Sequence, residues 1–217
     1  MIVRSRILLA IEFVAFFIAL PIVLYIRPRG IPIVPFLWGC TAYCLVTLLF
    51  DKTFRRAELW RPWRLRNHRT EILTLFITGA ILIAGLVWRF EPQRLFGLVK
   101  TNPMLWALVM AFYPVFSVYP QGIIYRSFVM HRYRPLLRTR RGTQRWMLIA
   151  VSALSFSFMH IIFHNWIAVT LTLIGGVLFA RTHLKTRSLF VSSFEHALYG
   201  CFLFTIGLGS YFYAQVI

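Results

Sequence analysis

Runs of about 20 apolar residues recur along this chain, and each is long enough to cross the hydrocarbon core of a bilayer as a helix. Inside hydrocarbon every backbone N–H and C=O must find its partner within the protein, which leaves only helices and closed barrels as spanning structures. A barrel would be written as ten-residue segments of alternating polarity, and the sequence contains no such series. The pattern therefore specifies an all-α fold, a polytopic helical membrane protein with about seven to eight transmembrane helices. Composition agrees: 59% of residues are hydrophobic and only 14% charged, against about 25% charged in soluble domains.

The expected spans cover residues 7–26, 31–50, 70–89, 104–133, 146–163 and 165–181. The last apolar stretch, 188–217, reads as two short helices broken near Gly207 and Gly209, for eight spans in all. The first run follows Arg4 and Arg6, as a signal peptide would. Glu12 interrupts it, however, and Arg27-Pro28-Arg29-Gly30 stands where a small-residue cleavage site would be, so it reads as an uncleaved span. Glu12, near the end of that helix, is expected to pair with a neighbouring arginine or to sit near the interface. The organisation is three N-terminal spans with a basic loop over 1–103, a core over 104–204, and a C-terminal apolar segment over 205–217.

The 24 Lys and Arg against 6 Asp and Glu give a net charge of +18. These cations cluster between the apolar runs, where they set topology and attract anionic lipid. Membrane lipids are thus the expected partners, and nucleic acid is not. Segments 51–69 and 126–145 carry seven Lys/Arg each, against three in 89–103 and two in 27–30. Alternating spans then put the N-terminus and both rich segments in the cytoplasm, with a bacterial-type inner or plasma membrane as the setting. Cys40 and Cys44 share a helix face, and with Cys201 they form no disulfide framework or cysteine-rich zinc pattern.

Three apolar segments carry polar residues that their surroundings do not explain. The 104–133 segment holds Gln121 and Arg126. The 146–163 segment holds His160, with His164 just beyond it, and the last holds Glu195 and His196. A cation at bilayer depth costs about 2.5–3.5 kcal/mol on insertion scales, so such a residue faces a partner, a cavity or a site. At about 1.5 Å per residue, Gln121, His160 and His196 lie roughly 18, 21 and 14 Å from the inner ends of their helices. They share a depth, and the three helices are expected to gather them in one polar region. Pro120, beside Gly122, frees the carbonyl of Phe116 and weakens the helix at that depth. His160 and His164 lie four apart, a spacing that suits a metal, although His164 falls at the helix end. Glu195 and His196 are adjacent and so point about 100° apart. Glu195 is expected to neutralise Arg126 or another cation.

These stretches resemble the CPBP family of membrane proteases, the CAAX-processing and bacteriocin-immunity group. The family's first motif is Glu-Glu-x-x-x-Arg, its second Phe-x-x-x-His, and its third a His followed four residues later by Asn or a similar residue. The second is intact as Phe156-x-x-x-His160. The first keeps Tyr125-Arg126 but has Gln121-Gly122 in place of the acidic pair. The third keeps His196, with Gly200 where Asn is expected. The resemblance implies an intramembrane endopeptidase acting on a membrane-associated peptide or protein. Its site residues would be Gln121, Arg126, His160, Glu195 and His196, with a divalent metal such as zinc as a cofactor under consideration. In the family a first-motif Glu is thought to activate water, a role that neither Gln nor Gly can fill. Reduced activity is therefore expected, with Glu195 as a substitute base and Gly122→Glu as a change that restores function. The alternative is a catalytically silent membrane binding or immunity protein.

Overall fold

The computed structural model describes residues 6–26, 32–137 and 139–212. The basic 27–30 loop and the end of the C-terminal apolar stretch lie outside them. Seven helices are long and apolar enough to cross a membrane: α1 (Arg6–Ile26), α2 (Ile33–Phe50), α3 (Arg69–Phe90), α4 (Pro103–Arg132), α5 (Gly142–Phe163), α6 (Trp166–Thr186) and α7 (Leu189–Ile206). No strand occurs among the described residues.

The expected eighth span is corrected by Gly207. It closes α7 in the left-handed region at φ 109°, and a Cβ there would lie 1.9 Å from the Arg94 carbonyl oxygen. Only glycine fits this turn. The following single 3-10 stretch, Leu208–Phe212, is far too short to span.

Two tight turns fix the second half of the bundle. His164, at φ 54°, ends α5, and the Asn165 side chain caps α6 by accepting from the Ala168 N–H at 2.8 Å. Arg187, at φ 49°, ends α6, and Ser188 caps α7. Consecutive helices joined so closely must lie antiparallel. α5 and α6 meet along much of their length, close enough that a Cβ on Gly176 would sit 3.0 Å from Ala153 Cα. Small residues at crossings are how membrane helices gain packing without a hydrophobic driving force. Ser157, Ser152 and Ser192 add hydroxyl bonds to the carbonyls of Val169, Tyr125 and Phe179 on neighbouring helices.

The acidic side chains show how the ends of the bundle are sealed. Glu12 accepts from Arg132 and Tyr133, as expected for a carboxylate near the start of α1. Asp51 is bonded to His131, Glu58 to Arg187, and Glu71 to both Arg181 and Lys185. These pairs join the starts of α1 and α3 to the ends of α2, α4 and α6, so they mark one end of the bundle. At the other end Glu91 pairs with Arg94 and accepts from Tyr211. Among the described residues Glu195 is the one carboxylate without an ion pair.

Candidate functional site

α4 is irregular where its sequence demands it. Pro120 has no N–H to give to the Phe116 carbonyl, and the indole N–H of Trp38 on α2 donates there instead, at 3.1 Å. The helix widens into π-helical turns on both sides, at Pro114–Val118 and Ile123–Phe128, a feature common at functional sites. Between them Gln121 donates to the Ser117 hydroxyl at 2.8 Å, and its own Oε1 has no protein partner.

Gln121 lines a cavity of about 550 Å³. The walls are apolar and come from α1, α2, the first two-thirds of α4, the last turn of α5 and two phenylalanines near the C-terminus. Their placement puts the cavity in the part of the bundle away from the Glu12, Glu58 and Glu71 ion pairs. The polar groups facing it are few: Tyr113, Ser117, Gln121, Tyr125 and His160. His160 is held firmly. Its Nδ1 lies 2.7 Å from the Phe156 carbonyl oxygen. A carbonyl oxygen only accepts, so Nδ1 carries the proton and Nε2 keeps a free lone pair.

Arg126, His196 and Glu195 are arranged differently and do not line the cavity. The Arg126 guanidinium is buried, 4.2 Å from the ring centroid of Phe156 and 5.3 Å from that of Phe179. Such contacts contribute about 2 kcal/mol when desolvated, which offsets much of the cost of burying the cation. His196 stacks on Phe179 at 4.5 Å and meets Phe156 edge-on at 5.3 Å. His160 meets the same Phe156 ring at 4.7 Å. The two imidazoles can be no farther apart than the sum of those two distances, and the Phe156 ring adjoins both.

Glu195 is completely buried on α7, and neither of its oxygens has a hydrogen-bond partner among the described residues. The Thr182 hydroxyl comes near the carboxylate without good bonding geometry. Nη1 and Nη2 of Arg126 are likewise unpartnered, so the expected neutralisation of Arg126 by Glu195 does not form. His164 turns away from His160 and stacks on Tyr25 at 4.3 Å. Among the described residues no three His, Cys, Asp or Glu converge on one point. The three protein ligands of a catalytic zinc are thus not assembled from these residue types.

Gly122 faces α7 and not the cavity. A Cβ there would meet Leu189 Cδ1 at 2.8 Å and Ser193 Oγ at 2.9 Å. A glutamate there would start toward the α4–α7 contact, where the ends of the Leu189 and Ser193 side chains would have to shift, and not toward the cavity. Two aromatic residues were not singled out by the sequence. Phe179 sits in an unbroken apolar run that carries no signal of its role. Tyr113 leaves a trace only at its partner Gly200, the small residue where the resemblance leads one to expect Asn.

Residues 100–202 match the family model described as type II CAAX prenyl endopeptidase Rce1-like, in agreement with the CPBP resemblance carried by the three motifs. No curated protein and no solved structure gives a match.

Proposed function

We propose that this chain is an intramembrane endopeptidase of the CPBP type that cleaves a membrane-associated peptide or protein with His160 as its base. The observation that carries this reading is the fixed tautomer of His160, whose free Nε2 belongs to a cavity otherwise walled by apolar side chains. Gln121 cannot take a proton, but its unpartnered Oε1 can accept one hydrogen of a water. His160 then takes the other proton as the water oxygen adds to the scissile carbonyl carbon. The carbonyl π electrons move to its oxygen. On collapse the C–N bond breaks, and the leaving amine takes the proton held by His160, giving a carboxylic acid that ionises and an amine. Arg126 and His196 act through Phe156, holding the ring against which His160 rests. No step is routed through a metal, because the residues present do not assemble a ligand set for one.

A second reading is favoured by one observation: no carboxylate among the described residues lines the cavity. A catalytically silent membrane binding or immunity protein would have that arrangement. Purified protein assayed on a membrane peptide, with and without chelator, separates the two. Cleavage that survives chelator and is lost in His160→Ala supports the enzyme. Absence of cleavage supports the silent protein.

The orientation follows the basic residues. The end of the bundle holding 51–69 and 126–145 faces the cytoplasm of a bacterial-type inner or plasma membrane. Cysteines introduced in both segments are expected to react only with reagent that has crossed the membrane, and labelling from outside would reverse the topology.

A further inference from the structure

Amide hydrolysis needs a donor for the developing oxyanion as well as a base. Arg126 and His196, the obvious cationic and imidazole donors, do not line the cavity. Three hydroxyls there, those of Tyr113, Ser117 and Tyr125, donate to no protein group among the described residues, and Tyr113 is the one seated against the α7 backbone at Gly200. Tyr113, on α4 two turns before Gln121, lines the cavity, and no protein group among the described residues is hydrogen-bonded to its hydroxyl. Ser117 accepts from Gln121 through its hydroxyl oxygen, and its side chain is too short to be held on the neighbouring helix as the Tyr113 ring is.

The placement of the phenol depends on Gly200. A Cβ at that position would lie 2.6 Å from Tyr113 Oη and 2.4 Å from Cε1, so the ring rests directly on the α7 backbone. Phe204 meets it edge-on at 5.2 Å and His196 at 6.4 Å. These contacts hold the ring on three sides. Any larger residue at 200 would displace it, so the glycine and the tyrosine form one device.

We infer that Tyr113 is a further catalytic residue, its phenolic O–H donating to the carbonyl oxygen of the scissile bond as that oxygen gains negative charge. The inference rests on the endopeptidase reading. The phenol keeps its proton throughout, so the bond changes are those already described, with the oxyanion held between addition of water and loss of the amine.

Tyr113→Phe tests it, since the ring and its contacts with Gly200, Phe204 and His196 remain and only the donor is lost. The full chain in detergent, with a quenched-fluorescent membrane peptide, is compared with Tyr113→Phe, Gly200→Asn, Tyr113→Ala with Gly200→Asn, and His160→Ala. For Tyr113→Phe, kcat is expected to fall by about 10²–10³ while KM and the melting temperature stay at wild-type values. Gly200→Asn alone is expected to lose activity by displacing the phenol. In the double variant the asparagine amide, placed where the phenol was, is expected to recover part of it. Unchanged kcat in Tyr113→Phe, with cleavage still abolished by His160→Ala, would overturn the role of Tyr113 and leave the endopeptidase reading intact. Cleavage that persists in His160→Ala, or none in the wild type, would overturn that reading and this inference with it.

Discussion

Two polar regions meet at the ring of Phe156. On one side His160, Gln121 and Tyr113 share a cavity, with a free lone pair, an unpartnered amide oxygen and an uncommitted hydroxyl. On the other, Arg126, His196 and Glu195 are packed into aromatic and helical surfaces and are almost wholly buried. Gln121, His160 and His196 lie at similar depth, and the three motif stretches contribute to both sets. What separates them is only the rotation of each residue around its helix. Depth in a membrane therefore identifies which residues can meet, and rotation decides which of them face the cavity and which are packed behind it.

The comparison is broken most severely by removing the base. His160→Ala is expected to lower the rate of peptide cleavage by about 10²–10⁴, whereas Glu195→Gln is expected to leave it unchanged because that carboxylate is walled off from the cavity. Loss of cleavage in Glu195→Gln would place the base on α7. Adjacent positions on α4 sharpen the same contrast. Gln121→Glu adds a carboxylate to the cavity and is expected to raise the rate. Gly122→Glu, forced against Leu189 and Ser193, is expected to destabilise the fold by about 1–3 kcal/mol, read as a lower melting temperature without gain in rate.

A smaller effect is expected at the bend in α4. Trp38→Phe leaves the Phe116 carbonyl unpaired, which costs about 1–3 kcal/mol for a group shielded from water. The same thermal assay reads it. The smallest effect belongs to the ion-paired end. Burial alone would raise the Asp51 carboxyl, but hydrogen bonds from the Thr53 hydroxyl and backbone N–H and from His131 outweigh it and hold the group below its ordinary range. A depressed folded-state pKa means that this stabilisation is complete above the unfolded value of about 3.8 and is lost as pH falls through the folded one. Thermal scans below pH 4 should therefore show a steeper acid loss in the wild type than in Asp51→Asn.

The class of fold was legible because hydrophobic length is a one-dimensional property. Six spans could be read to within a few residues, and Glu12 was understood from its position at a helix end. The extra span was misread because 188–217 is apolar throughout, and the turn at Gly207 depends on the approach of Arg94 from another part of the chain. The polar set Gln121, Arg126, His160 and His196 was visible as polar residues within apolar helices. Its division was not, because π-helical turns in α4 shift the angular register after Pro114 and again after Gly122, and no count of residues reveals them. Tyr113 went unnoticed for a related reason: its meaning lies in Gly200, 87 positions later in the sequence.

The bond from Trp38 to the Phe116 carbonyl also bears on how the chain is assembled. α4 enters the membrane with an acceptor that its own proline has orphaned, and an unsatisfied backbone group in hydrocarbon costs several kcal/mol. The group that satisfies it lies on α2, which the ribosome has made and released some 80 residues earlier. Biogenesis in N-to-C order thus delivers the receptor before the segment that needs it. A truncated protein beginning near residue 100 would contain all three motifs and the whole matched family region, yet its central helix would insert without that partner. α2 thus carries a bonding partner for α4 that is made before α4 is.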